Sequence, residues 1–254
     1  MTRIFLTIVA VGIALLASAE DKVYKIGDFY NDGNGVTGYV FEVSNDGKHG
    51  KIVAYPIREG GELFKPSYNE LVKAGVPERR NQDGEPMYLD MPLKTIWCDA
   101  TSKTDGAANT AKLLNKFKEL KTKYRFDRKY LSDIEERIYQ QNSYTSSGTD
   151  NIGWYIPAIK ELESFYAAVA QDNLNQLIKQ DCLNNNNLGN VGNRETYWNN
   201  FLKIPQGFFW SSTQNPNDTG KSSDAMWVNL DIRDGVEYEW YPNESYWCIL
   251  IHKF

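Results

Sequence analysis

Two different periods of hydrophobic and polar residues alternate along this chain, and each change of period marks an element. In "GYVFEVSNDGKHGKIVAYPI", two short runs of mostly apolar residues, rich in Val, Ile and Tyr, flank a turn carrying Asn45, Asp46 and Gly47. Such runs bounded by turn formers predict strands over residues 39–43 and 51–55, joined as a hairpin. A Gly-, Pro- and charge-rich insertion with weak patterning follows over residues 58–93. In "TDGAANTAKLLNKF" the period lengthens: Ala111, Leu114 and Phe117 recur at three, as one face of a helix starting near Ala107 requires. "DRKYLSDIEERIYQQ" continues in helical style before the loop "NSYTSSGTDN".

The stretch "NIGWYIPAIKELESFYAAV", residues 151–169, sets a Trp-Tyr pair and a proline directly before a helix. Pro157 suits the first helical position, Glu161 and Glu163 sit early where the helix dipole favours anions, and Ile159, Leu162, Tyr166 and Val169 trace one apolar face. Trp154 and Tyr155 then end an extended segment, and we expect a structural corner with Trp154 packed inside. "DNLNQLIKQ" predicts a second helix presenting Leu174, Leu177 and Ile178, after which "CLNNNNLGNVGN" abandons periodicity for turn formers. The last third returns to period two. A strand is expected at residues 208–210, another where Met226, Val228, Leu230 and Ile232 alternate, and a third at 236–240 after the Asp234-Gly235 hairpin signal. The apolar run at 246–252 closes the sheet.

The first residues, "MTRIFLTIVAVGIALLASAED", change the picture of destination. One early charge at Arg3, an apolar run over residues 4–16 and the small residues Ala17-Ser18-Ala19 have the form of a secretory signal peptide, too short for a membrane-spanning helix of about 20 apolar residues. Cleavage would place the N-terminus at Glu20, leaving residues 20–254 as a single domain with no membrane insertion. The formal charge of −5 becomes one unit more negative without Arg3, which disfavours nucleic acid or an anionic membrane as partner. Lysines cluster over residues 112–129 but interleave with Glu119 and Asp127, as a solvated helix face does. Cys98, Cys182 and Cys248 are too few to build the fold, although an oxidising compartment would allow one bridge and leave one thiol over.

A family resemblance rests on "EVSNDGKHGKIVA", "TDGAANT", "GWYIPAIKELESFY", "GFFWSST", "AMWVNL" and a last strand ending in "HKF". This set resembles the Lcl C-terminal domain family, long catalogued as a domain of unknown function and abundant in exported bacterial proteins. The likeness runs from about Gly27 to Phe254, most specifically through Pro157, Glu161, Leu162, Trp210, Ser211, Ser212 and Thr213. The resemblance implies an α+β, C-type-lectin-like fold: two main helices flank a small, mostly antiparallel sheet with long irregular loops, and the chain's two ends pair as neighbouring strands. Where family members often end in an Arg-containing strand, this chain has Ile249, Leu250 and Ile251 before His252.

The sequence offers little for catalysis. Of two histidines, His49 falls in a predicted turn, and His252 stands four residues from Cys248, roughly 13 Å away along a strand at about 3.3 Å per residue, beyond the reach of a nucleophile-base pair. His and Cys do not gather at zinc spacing. The cysteine-oxidising relatives that generate formylglycine use paired cysteines near the C-terminus, and Cys248 has no near neighbour. Ser211, Ser212 and Thr213 lack a base and read as backbone-bonding turn residues. Calcium-type sugar binding would need Glu-Pro-Asn or Gln-Pro-Asp with Trp-Asn-Asp; "YPNES" and "YWNN" are incomplete versions, and "GDFYNDGNG" places Tyr30 and Tyr39 at ligand positions of the helix-loop-helix calcium pattern. No metal or other cofactor is expected.

What remains is an excess of rings: seven tryptophans and sixteen tyrosines, several at predicted turns. Trp154, Trp210, Trp227 and Trp247 are expected in the core, with Trp198 and Trp240 as candidates for either role. The expectation is therefore an exported, non-catalytic recognition module for a glycan or a protein, with a structural or adhesin subunit of a surface assembly as the alternative and an enzyme distantly related to the formylglycine-generating enzymes third; oligomeric state is open. Ligand contacts are expected from loops at residues 184–200, 214–224 and 241–246, gathered at one end of the sheet. Trp198, Trp240 and Tyr241 would offer rings, with Asn187, Arg194, Asp218 and Glu244 giving polar selectivity.

Overall fold

Strand residues of this chain send alternate side chains into two different cores, and that alternation organises the molecule. The computed structural model describes residues 22–54, 97–126, 129–143, 153–184, 204–205, 207–215, 227–240 (of Trp240 the backbone only) and 245–254, with Gly61, Leu63, Val72 and Asp83. The expected signal peptide and most of the insertion at 58–93 lie outside the described residues. Strands β1 (Phe29–Asn31), β2 (Thr37–Val43) and β3 (Gly50–Ala54) form an antiparallel meander, joined on the far side of β3 by the terminal β7 (Ile251–Lys253). The closing strand thus pairs with β3 rather than with the first strand. Between them come helices α1 (Gly106–Tyr124), α2 (Asp133–Ser143), α3 (Ile159–Ala170) and α4 (Leu174–Asn184), then a second antiparallel sheet of β4 (Phe208–Gln214), β5 (Trp227–Asp231) and β6 (Val236–Trp240) in that order.

In β2, Tyr39 and Phe41 pack with α3 and α4 residues, while Val40 packs with residues of α1 and α2; in β3, Val53 and Ile52 divide the same way. The second sheet repeats the division, Phe209, Val228 and Leu230 on the α3/α4 side and Trp210 and Trp227 on the α1/α2 side. Helices therefore cover both faces of the strand layer. That explains the unbroken apolar run at the C-terminus, where Cys248 and Leu250 face one core and Ile249 and Ile251 the other. The same run ties the two sheets together: Trp247 donates to the Phe208 carbonyl at 3.0 Å and accepts from Trp210 N–H at 2.8 Å, and Ala54 N–H donates to the Leu250 carbonyl. Among the described residues no helix is long and apolar enough to cross a membrane.

The Trp-Tyr-x-Pro stretch forms a corner in which nearly every backbone polar group is answered. Trp154 is fully buried, its N–H donating to Asn142 Oδ1 (3.0 Å) and its carbonyl accepting from Asn142 Nδ2 (3.1 Å). Tyr155 exchanges backbone bonds with Ile251, Ile156 N–H donates to Thr110 Oγ1, the Pro157 carbonyl accepts from Ser212 N–H, and Ile159 N–H donates to Thr213 Oγ1. Pro157 is not the first helical residue: Ala158 caps α3, and Glu161 reaches back to accept the Ala158 N–H at 3.0 Å. The nearly buried Glu161 also accepts from Gly106 N–H and Tyr155 OH, both at 3.0 Å, so one carboxylate joins the starts of α1 and α3. Only glycine fits at 106, since a Cβ there would lie 2.5 Å from Ala158 N, Glu161 Oε2 and Ile156 O.

Two further expectations are corrected. The α3 stripe is centred on Ile159, Leu162, Phe165 and Ala168, with Tyr166 and Val169 only partly buried at its margin; in α4, Leu177 is exposed while Leu174 and Ile178 are buried. The sequence leaves open whether a bridge forms, and no disulfide joins Cys98, Cys182 and Cys248: Cys182 lies in the α3/α4 core with its Sγ 3.3 Å from Tyr39 OH, while Cys248 and Cys98 pack on the opposite side of the strand layer.

Candidate functional site

The α1/α2-facing side of the second sheet carries an unusual mixture of rings and unanswered polar atoms. On β4, Ser211 and Thr213 point to the α3 side and have bonds: Ser211 Oγ donates to the Val228 carbonyl, and Thr213 Oγ1 donates to the Ser102 carbonyl at 2.9 Å while accepting from Ile159. These are strand residues, not turn residues, because β4 runs on to Gln214 and its end pairs outward, Ser212 N–H with Pro157 and Gln214 N–H with Ala100. The alternate positions, Phe208, Trp210, Ser212 and Gln214, face the other way.

On β5 the same face presents Trp227, Asn229 and Asp231, and cross-strand register sets Asn229 between Trp210 on β4 and Tyr238 on β6. Ser212 follows Trp210 on that face, ahead of Gln214, which pairs with Trp227 across an irregularity in β4. Asn229, Ser212 and Trp227 are completely buried, yet Asn229 Nδ2 and Oδ1, Ser212 Oγ and Trp227 Nε1 have no hydrogen-bond partner among the described residues. Leaving a buried polar group unanswered costs about 1–3 kcal/mol, and Trp154 Nε1, in the same core, is likewise unanswered among the described residues. Trp210 differs, its Nε1 donating to the Gly61 carbonyl at 3.1 Å.

Rings lead from the surface to this cluster. Tyr238, 38% exposed on the outer strand, meets Phe208 edge to face at 5.2 Å between centroids; Phe208 meets Tyr246 at 5.3 Å; and Tyr246 meets the buried Trp210 at 5.0 Å. Such tilted and edge contacts are the preferred aromatic geometries. Among the described residues of this face the one carboxylate is Asp231, held below the usual carboxylate range by its hydrogen bonds to Arg233, whose Nε donates at 2.8 Å and whose guanidinium also lies over the Phe208 ring. The cluster itself is neutral. Among the described residues no three His, Cys, Asp or Glu side chains gather closely enough to hold a metal ion.

Of the residues expected to touch ligand, Asn187, Arg194, Trp198, Asp218, Tyr241 and Glu244 lie outside the described residues. Trp240 ends β6, its backbone paired with Trp227. Because Gln214, Trp227 and Trp240 are register partners, the segments 216–226 and 241–244 leave the sheet at one and the same end, as expected for two of the three loops. The third, 185–203, starts from the end of α4 and returns at Ile204, whose N–H donates to Asn175 in the first turn of that helix. Asn229, Ser212 and Trp227 were not among the expected site residues. Their signal in the sequence is Trp227, expected in the core, standing in phase with Asn229 and Asp231 along one strand.

No protein-family model matches this chain, and no curated protein is significantly similar to it.

Proposed function

We propose that this chain is an exported, non-catalytic recognition module, similar to the Lcl C-terminal domain family and of C-type-lectin-like fold, that binds a glycan or a protein. One observation carries this: a row of rings runs from the solvent-exposed Tyr238 to the buried Trp210, beside an amide with both ends unanswered, on a sheet whose strands β4 and β6 end, and β5 begins, at the same edge. Rings give broad apolar contact with little conformational entropy to lose, and the amide gives direction. The segments contribute Asp218, Tyr241 and Glu244 to the proposed surface, with Asn187, Arg194 and Trp198 from the α4 side. The thiols support a non-catalytic reading: burial pushes Cys248 up to about 11 and Cys98 up to about 12, leaving neither as a thiolate near neutrality.

Saturable binding on a glycan or protein array by a monomeric protein is the expected result. Changing Trp198 and Tyr241 together to Ala should abolish that binding with thermal stability nearly unchanged; retained affinity would remove those loops from the site.

The second reading, a subunit of a surface assembly, is favoured by β6. It is the outer strand of its sheet, and Val236 (45%) and Tyr238 (38%) stand exposed on one face of it with Glu237 and Glu239 on the other. Exposed edge strands are templates for pairing with another chain. A defined oligomer in size exclusion, dissolved by Tyr238→Lys, would select this reading.

A further inference from the structure

We propose that β6 takes an extended, basic peptide segment of a protein ligand as an added strand, an inference that rests on the recognition reading above. β6 is the outer strand of its sheet, and among the described residues no strand pairs with its far side. An edge strand turns the N–H and C=O of every second residue outward, a template for one more strand. Its side chains are exposed on both faces, Val236 and Tyr238 on one, Glu237 and Glu239 on the other. Tyr238 meets Phe208 edge to face at 5.2 Å, which holds its ring on the apolar face.

Charge decides which strand fits. Two copies of this chain joined antiparallel through β6 about a two-fold axis would face like charges. A register centred on Tyr238 sets Glu237 opposite Glu239, and one centred on either glutamate sets that residue opposite itself. Like charges directly opposite destabilise a strand pair, so the same glutamates that disfavour a second copy select an oppositely charged partner. Glu239 has no cation partner among the described residues, and Glu237, 3.6 Å from Lys160 Nζ, shares that cation with Glu163 at 2.5 Å. An exposed, shared pair of this kind contributes little and yields readily to a better one. The complementary strand carries Lys or Arg at two positions one residue apart, about 6.6 Å along a strand at about 3.3 Å per residue, which matches the spacing of the two carboxylates. Between and beside those cations stand apolar residues, which lie against Val236 and Tyr238. A glycan offers no row of backbone donors and acceptors at strand spacing, so this edge fits a peptide.

Titration calorimetry on the full exported chain tests this with synthetic peptides of about seven residues, a usual strand length. One alternates lysine with valine, a second alternates glutamate with valine, and a third is the lysine peptide with its backbone amides N-methylated, which keeps the charge and removes the strand hydrogen bonds. The lysine peptide should bind saturably and at least about tenfold more tightly than either of the others. Glu237→Lys together with Glu239→Lys should reverse the preference toward the glutamate peptide, with the melting temperature nearly unchanged because both side chains are exposed. Should that variant fail to fold, Glu239→Gln must lower the affinity for the lysine peptide at least about threefold and flatten its salt dependence. Equal affinity for the lysine and glutamate peptides, full affinity of the N-methylated peptide, a preference surviving charge reversal, or a defined oligomer of the unaltered chain that Tyr238→Lys dissolves would overturn the assignment. Saturable binding on a glycan or protein array with none of the three peptides bound would leave the recognition module standing and remove this edge; silence on the arrays as well would remove both.

Discussion

Trp154 shows how much one residue can reveal. Its position before a proline and a helix marks it as a corner residue in the sequence, and the structure buries it completely between the Asn142 amide and the His252 ring, 5.3 Å between centroids. Replacing it with Ala should cost about 3–5 kcal/mol, the usual effect of deleting a large buried aromatic, read as a lower melting temperature or denaturant midpoint. Gly106→Ala should cost about 1–3 kcal/mol by overpacking against Ala158 and Glu161. That site was illegible in advance, because the partners meeting at Gly106 come from 50 or more residues away in the chain. Burial also holds His252 below its ordinary pKa. The unfolded chain takes up a proton near pH 6.5 while the folded chain resists, so the stability contribution is complete above about 6.5 and is lost as pH falls through the folded value. Melting temperature should therefore drop between about pH 7 and pH 5, and His252→Asn should flatten that drop.

Elements were legible wherever one period held over a sufficient length. The β2–β3 hairpin, the starts of α1, α3 and α4 and the Asp234-Gly235 hairpin lie within a residue or two of where the patterning puts them, whereas α4 runs on through Cys182 and Leu183 to Asn184, into residues read as turn formers. The strand at Phe208 was read too short because Ser211, Ser212 and Thr213 have the composition of a turn; the Ser211 and Thr213 hydroxyls instead bond backbone groups of neighbouring elements, which lets these two polar residues sit in a buried strand. Thr213→Val tests this directly. It keeps the shape but leaves Ile159 N–H and the Ser102 carbonyl without their partner, and should cost about 1–3 kcal/mol; a neutral effect would mean that α3 is capped well enough by Glu161 alone. Trp227 was expected in the core and is buried there, whereas Asn229 drew no reading; it is buried because both faces of the strand layer are covered.

At the scale of the whole molecule, backbone bonds from the C-terminal run tie two short sheets into one layer, and the recognition proposal depends on that layer as its scaffold. Export is part of the same proposal and predicts a secreted product beginning at Glu20, with residues 1–19 absent by intact mass. Monomeric behaviour in size exclusion would separate recognition from assembly through β6. The central claim, that this face binds a ligand, is tested most directly by applying the full exported chain to a glycan and protein array and following the strongest response by titration. Saturable one-to-one binding to at least one glycan or protein, weakened at least about tenfold by Tyr238→Ala together with Tyr246→Ala, is the predicted result; saturable binding untouched by that double change, or none to any probe, would contradict it.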